Sequence, residues 1–432
     1  MAVMFLCFIL LGVSTTPLSG FITSSISFSI VTIASAIILL RDFKWVSFFF
    51  TAYLVRLVIG LVHFLIFLVP DYFGTSGTFL PMPHDFTYAF DSISEIVLSK
   101  NKYGLFHYED FYIGHREIWN LISYPFYYFG VYILNIAPLN SFMSIFASIN
   151  LLLISKHLLR FDTNKLRYVA ILSAYFPLTL ISSLFYRDIV GMGLMSLGLV
   201  LIMFSKKNIF YYLMIMISGY LFYLQRTIYP LVLVVSVALD FMINGRGFAS
   251  SAKRIFSFII FFPAFIVMLI LSFTIGLAEG ENSSYIEGAG TVNYAFLPLK
   301  LLMGLIGPFP WFQYFTTGRI EYSYQFADYL QGVFNLTTLV LMKTYFSDFF
   351  RSKQFNILNF TGLFLMAIGL STTFMHSSYV SIGFLFLIPW IVNSSVWNKL
   401  KYYYVFIFMI MLIFSVFILT VFGGLGLAGL WK

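Results

Sequence analysis

Two arginines stand where very short turns interrupt long apolar runs: Arg187 in "YRD" and Arg226 in "QRT". The turns are successive hairpins opening on the same side of their helices, so the two guanidiniums are expected at one membrane level. Guanidinium groups bind phosphate bidentately and keep their charge at any physiological pH. Such a pair suits a phosphate or diphosphate held at an interface. Placing an arginine at the centre of an inserted helix costs about 2.5–3.5 kcal/mol, so each calls for a reason. The competing uses are an Arg187–Asp188 pair and an Arg226 that snorkels to lipid headgroups.

Carboxylates and an imidazole are candidates for proton transfer. Asp85 follows His84 in "PMPHDFTYAF", and Asp91 and Glu95 lie one helical turn apart just beyond it. A carboxylate at the membrane surface can deprotonate an acceptor hydroxyl or hold a divalent metal. Asp91 and Glu95 read equally as a solvated helix face, which leaves Asp85 as the stronger catalytic candidate. His376, in "TTFMHSSYV", sits near a span end where a neutral imidazole can act as a base. Arg116 and Arg319 are placed to meet substrate, and Trp311 in "GPFPWF" can stack on a sugar face. Arg319 can instead pair with Glu321, and interfacial aromatics also anchor at headgroup level. No His or Cys spacing resembles a zinc site. Arg56, midway along an apolar run with His63 on the same helical face, reads as a structural or pathway-lining charge that needs a partner.

The elements that must position these groups are membrane helices. Of the 432 residues, 60% are hydrophobic and 10% charged, more apolar surface than a soluble fold of this size can hide. Apolar runs near the length of a bilayer crossing recur along the chain. Spans are predicted at 3–18, 22–40, 45–69, 139–157, 168–185, 189–205, 208–224, 228–244, 255–276, 329–343, 355–373, 379–396 and 402–421. That is about 13 helices in one membrane domain over residues 1–432, an all-α polytopic fold. The stretch 119–136 reads as an interfacial or re-entrant helix, and 296–307 has the same character. The first apolar stretch lacks a basic flank and a clear cleavage site, so it reads as a retained span.

Charge orients this array. The chain carries a net +8, and its basic excess lies in short loops at 41–44, 156–167, 206–207, 240–254, 343–353 and 399–401. The long polar segments are acidic: 71–118 has three positive and seven negative residues, and 276–328 has two and five. Short basic loops stay in the cytoplasm, which puts the N-terminus inside and both acidic loops outside. The basic excess is thus a topology signal and not a nucleic-acid footprint. Cys7 is the single cysteine, so no disulfide forms within the chain.

The order of these features, "HDFTYAF" after an early span, then "PFYYFG", "YRD", "QRTIYP" and a late "PFPW" loop, resembles the GT-C superfamily of polyprenyl-phosphate-dependent glycosyltransferases. It also resembles the O-antigen polymerases and ligases, which act on undecaprenyl-diphosphate glycans. The resemblance implies glycosyl transfer without a nucleotide sugar at the periplasmic face of a bacterial inner membrane. Its partners would be lipid-linked donor and acceptor glycans, membrane lipids and, for a polymerase, a chain-length regulator. Arg187 and Arg226 would then hold the donor's diphosphate, with Asp85 or His376 as base. In the GT-C alternative the donor is a polyprenyl monophosphate sugar and Asp85 is the base, with a divalent metal as the one cofactor to consider. The chain has "HD" where that family often has paired acids, and it lacks the Trp-rich signature of oligosaccharyltransferases. A lipid-linked oligosaccharide flippase is the alternative from another class. It predicts repeated halves around a charged cavity, and no repeat is visible here.

Overall fold

The computed structural model describes residues 17–63, 136–175, 187–205, 209–224, 228–244, 356–372 and 377–394, with positions 266–267, 397–398, 401–402, 405–406 and 410. All regular structure among the described residues is α-helical, in agreement with the all-α expectation. The predicted span 329–343, nearly all of 3–18, most of 255–276 and 402–421, both acidic loops and nearly all of the two interfacial stretches lie outside the described residues. The chain divides into two compact units, Met1–Thr227 and Ile228–Lys432.

In the first unit the helices are α1 (Pro17–Leu40), α2 (Phe43–His63), α3 (Ile136–His157), α4 (Thr163–Ala174), α5 (Arg187–Phe204) and α6 (Ile209–Tyr223). Helix α1 is described from Pro17, five residues before the predicted boundary, and proline's fixed φ suits the first turn of a helix. Its polarity is reversed relative to a water-soluble helix. Ile22, Ile26, Ile30 and Ile38 are roughly half or more exposed (49%, 56%, 52% and 68%), whereas Ser24, Ser27 and Thr32 are buried. Thr32 satisfies its hydroxyl by donating to Phe28 O at 2.7 Å. Helix α6 repeats the pattern, with Ile209 and Met216 exposed and Ser218 buried, its Oγ donating to Gly198 O on α5 at 2.9 Å. Small polar residues inside and large aliphatics outside is the arrangement that lets helices pack closely in lipid.

Helix α3 is the centre of this unit, buried along nearly its whole length and packed on α1, α2, α4 and α5. Its pairings fix the direction of its neighbours. Phe28 of α1 stacks on Phe142 with ring centroids 5.7 Å apart, and Lys156 Nζ donates to Leu40 O at 2.8 Å, so α1 and α3 run parallel. Against α5, Gly193 abuts Met143, Asn150 Nδ2 donates to Ser196 Oγ at 2.9 Å, and the His157 ring lies 6.3 Å from that of Phe204. Helix α5 is therefore parallel as well, and α1, α3 and α5 begin at one end of the unit.

At the opposite end the basic segments 41–44 and 156–167 meet, joined by the Lys156–Leu40 bond. The second is mostly helical and not the loop that was predicted. Asp162 caps α4, its side chain accepting from Lys165 N at 2.8 Å, so the helix starts at Thr163 and not at 168. Arg41 and Arg160 take left-handed backbone conformations, φ 52° and 53°. At Arg160 this lets Phe161 N–H return to Ser155 O at 3.0 Å. Arg160 is exposed, and Arg160→Gly should relieve about 1 kcal/mol of backbone strain while losing a smaller attraction to the end of α3. A net gain in chemical unfolding of the purified protein is the expected result, and a loss would contradict this account.

The second unit contains α7 (Tyr229–Asn244), α8 (Ile357–Thr372) and α9 (Ser377–Asn393). Helix α8 packs between α7 and α9. Asn356 starts it, its Oδ1 accepting from Asn359 N at 3.1 Å. The α8–α9 crossing is exceptionally close: a Cβ built at Gly383 would lie 2.5 Å from Gly362 O and 2.6 Å from Met366 N. Among the described residues two helices, Phe21–Leu40 and Ala137–His157, are long and apolar enough to cross a membrane, and shorter apolar helices accompany them.

Candidate functional site

Helix α4 is the shortest element of the first unit at 12 residues. At 1.5 Å per residue it extends only about 18 Å, less than the hydrocarbon thickness of a bilayer. The predicted span 168–185 is thus not one continuous helix in its described part. The sequence supplies the cause, since Pro177 stands two residues beyond the C-cap Tyr175, where a helix cannot continue. A helix that stops at this depth leaves carbonyls that lipid cannot satisfy.

Arg56 answers that need. It is the largest fully buried side chain among the described residues, about 20 Å along α2 from Phe43. Its Nη1 donates to Ala52 O at 2.7 Å and its Nη2 donates to Ala174 O, the last carbonyl of α4. A fixed cation at a helix C-terminus also complements the negative end of the macrodipole. Lys156 makes the same kind of contact at the end of α1. Among the described residues Arg56 is thus met by backbone carbonyls, and its planar fork lets one side chain reach two helices.

A second polar constellation runs through α3. Asn140, Ser141, Ser144, Ser148 and Ser155 fall within about a 100° arc of the helix, and all five are buried. The inner three hydroxyls are satisfied locally: Ser144 Oγ donates to Ser141 O, Ser148 Oγ to Ser144 O and Ser155 Oγ to Leu151 O, at 2.7–3.2 Å. At the outer end, Asn140 Nδ2 and Oδ1 and Ser141 Oγ have no hydrogen-bond partner among the described residues. Asn150 faces α5, where Ser196 takes its amide and itself donates to Gly193 O at 2.7 Å. These asparagines were not among the predicted site residues. The signal was present in "NSFMSIFASIN", whose polar residues recur at helical spacing inside an apolar run.

Of the sequence-derived site residues, Arg187 is the first residue of α5, at the end of the unit where α1 and α3 also begin. That end is opposite the basic segments. Three parallel helices direct the positive ends of their dipoles the same way. Asp85, Arg116, Arg226, Trp311, Arg319 and His376 lie outside the described residues. No group of three or more His, Cys, Asp or Glu side chains is placed to hold a metal ion among the described residues. Compared with known proteins, the chain matches no protein-family model, and no curated protein or solved structure matches it either.

Proposed function

We propose that the chain is a multi-pass protein of a bacterial inner membrane that transfers glycosyl groups between undecaprenyl-diphosphate-linked glycans at the periplasmic face, as an O-antigen polymerase does. The membrane assignment is supported by α1, whose aliphatic face is exposed and whose seryl and threonyl face is buried. A water-soluble helix with that arrangement loses its hydrophobic stabilisation, whereas lipid accepts it at no cost. The orientation is supported by Arg41 and Arg160. Both hold arginine in a left-handed turn where glycine is conformationally easier, as expected where the cytoplasmic loops must carry positive charge.

The observation that carries the functional reading is Arg187 at the first position of α5, level with the starts of α1 and α3 and remote from the basic loops. Helix dipoles converging on an end where an arginine begins a helix suit a lipid-linked diphosphate. Arg226 is the second clamp in this reading, and Asp85 or His376 the base that activates the acceptor hydroxyl. A GT-C enzyme using a polyprenyl-monophosphate sugar is the second reading, favoured by the acid after the early span in "HDFTYAF".

Deleting the gene and profiling cell-surface glycolipids separates these readings. A polymerase leaves lipopolysaccharide with a single repeat unit; a sugar-adding enzyme leaves a truncated or undecorated repeat. Full-length chains in the deletion strain would reject both. In the same strain, Arg187→Ala and Arg226→Ala are expected to insert normally yet fail to restore long chains. Arg→Lys should restore them poorly, since it lacks the bidentate fork.

A further inference from the structure

Helix α3 packs on α1, α2, α4 and α5, and its contacts with α1 and α5 are made by named side chains. Phe142 stacks on Phe28 of α1 at 5.7 Å and on Phe146 of its own helix at 5.5 Å. Met143 and Asn150 are engaged with Gly193 and Ser196 of α5. A further side carries the polar stripe; Asn150 Oδ1 towards α5 lacks a partner among the described residues, and along the stripe itself capacity is unmet only at Asn140 and Ser141. Asn140 and Ser141 are both wholly buried, and Asn140 Nδ2, Asn140 Oδ1 and Ser141 Oγ have no partner among the described residues. A helix that needed only a small face for packing would be served by alanine at both positions. Burying an unpaired amide is costly enough that natural proteins nearly always pair it.

We infer that Asn140 and Ser141 form the seat of a neutral, hydroxyl-bearing ligand group: the sugar of the lipid-linked substrate, as distinct from its diphosphate. The chemistry of the donors decides between the two. Asn140 offers two N–H donors and one carbonyl acceptor, and Ser141 one of each kind. Phosphate oxygens only accept, so Asn140 Oδ1 would face them unfavourably. A sugar hydroxyl both donates and accepts, and an N-acetyl group carries the complementary amide. The charged and titratable residues of α3, Lys156 and His157, are both in its last turn at the opposite end. Asn140 and Ser141 themselves carry no charge, while the start of α5 with Arg187 lies at the same end of the unit. Substrate headgroup and sugar would be read by different chemistries, a cation for one and an amide for the other. The identity of the ligand rests on the glycosyl-transfer reading above.

Binding to the full-length protein in phosphatidylglycerol nanodiscs tests this with two probes: farnesyl diphosphate, and farnesyl diphosphate bearing one N-acetylglucosamine. The wild type should bind the sugar-bearing probe at least tenfold more tightly. Asn140→Leu should abolish that preference while leaving the affinity for bare farnesyl diphosphate unchanged. It should also leave the unfolding temperature of the ligand-free protein unchanged or higher, since no paired group has been removed. Ser141→Ala, the smaller change, should reduce the preference at least threefold. Ser148→Ala, whose hydroxyl is satisfied by Ser144 O, should keep it in full. Equal binding of both probes by the wild type overturns the inference and leaves the diphosphate reading standing. Retention of the tenfold preference in both Asn140→Leu and Ser141→Ala overturns it too. Failure of the wild type to bind either probe removes the glycosyl-transfer reading, and this inference with it.

Discussion

Arg56→Ala is expected to lower the unfolding free energy of the protein in detergent micelles by roughly 3 kcal/mol, from two hydrogen bonds to a charged group at about 1.5–3 each. Truncation also opens a cavity, adding on the order of 2–5 kcal/mol, and releases the burial cost of the charge, about 2.5–3.5 kcal/mol. The losses exceed the gain because Ala52 O and Ala174 O are both left without this donor. Two further variants separate the contributions. Arg56→Met fills the volume without donors, and Arg56→Lys keeps the charge on a tip that cannot bridge two carbonyls as a fork does. Both should lie between wild type and Arg56→Ala. Denaturant titration followed by tryptophan fluorescence gives the ranking. An Arg56→Met protein as stable as wild type would mean that α4 ends without help from the guanidinium, as apolar replacements of buried charges sometimes show.

The second large effect is expected at the α8–α9 crossing. At Gly383 an added Cβ meets Gly362 O at 2.5 Å and Met366 N at 2.6 Å, both backbone atoms held by their own helix. Neither can rotate away as a side chain would. Gly383→Ala should therefore destabilise the protein by at least about 2 kcal/mol, and Gly383→Val by more, in spite of the roughly 1 kcal/mol that alanine contributes as a better helix former. Gly219 on α6 is the internal control. Nothing lies within 4 Å of a Cβ placed there, so Gly219→Ala should be neutral or stabilise by up to about 1 kcal/mol. If Gly383→Ala and Gly219→Ala unfolded alike, the two helices would not be in backbone contact.

What the sequence made legible follows from which physical signal each feature leaves. Apolar run length located α3, α5, α6, α7, α8 and α9 to within three residues at each described end, because the thickness of a bilayer sets that length directly. The signal failed at α4, where Asp162 and Thr163 start the helix inside a basic stretch and Pro177 follows its end. There capping chemistry and proline geometry outweighed hydropathy. Arg56 announced that it needed a partner, yet the partner is a main-chain carbonyl at Ala174, and backbone acceptors have no residue type to read. Asn140 and Ser141 were passed over for a different reason. Two asparagines and scattered serines barely lower the hydropathy of a span, and only their helical spacing on α3 sets them apart. Arg187 was legible as a charge between two runs. That it begins a helix parallel to α1 and α3 required the pairings of Phe28 with Phe142 and His157 with Phe204.

The short length of α4 also bears on how the chain enters its membrane. A 12-residue helix with Lys165 and Arg167 in its first half has too little apolar length to partition into lipid by itself. Its deepest carbonyl is covered by a side chain from α2, made more than a hundred residues earlier during synthesis. Insertion of α4 is therefore expected to follow that of α2, with α3 and α4 entering as a hairpin. The order of assembly in this half of the protein is set by one guanidinium.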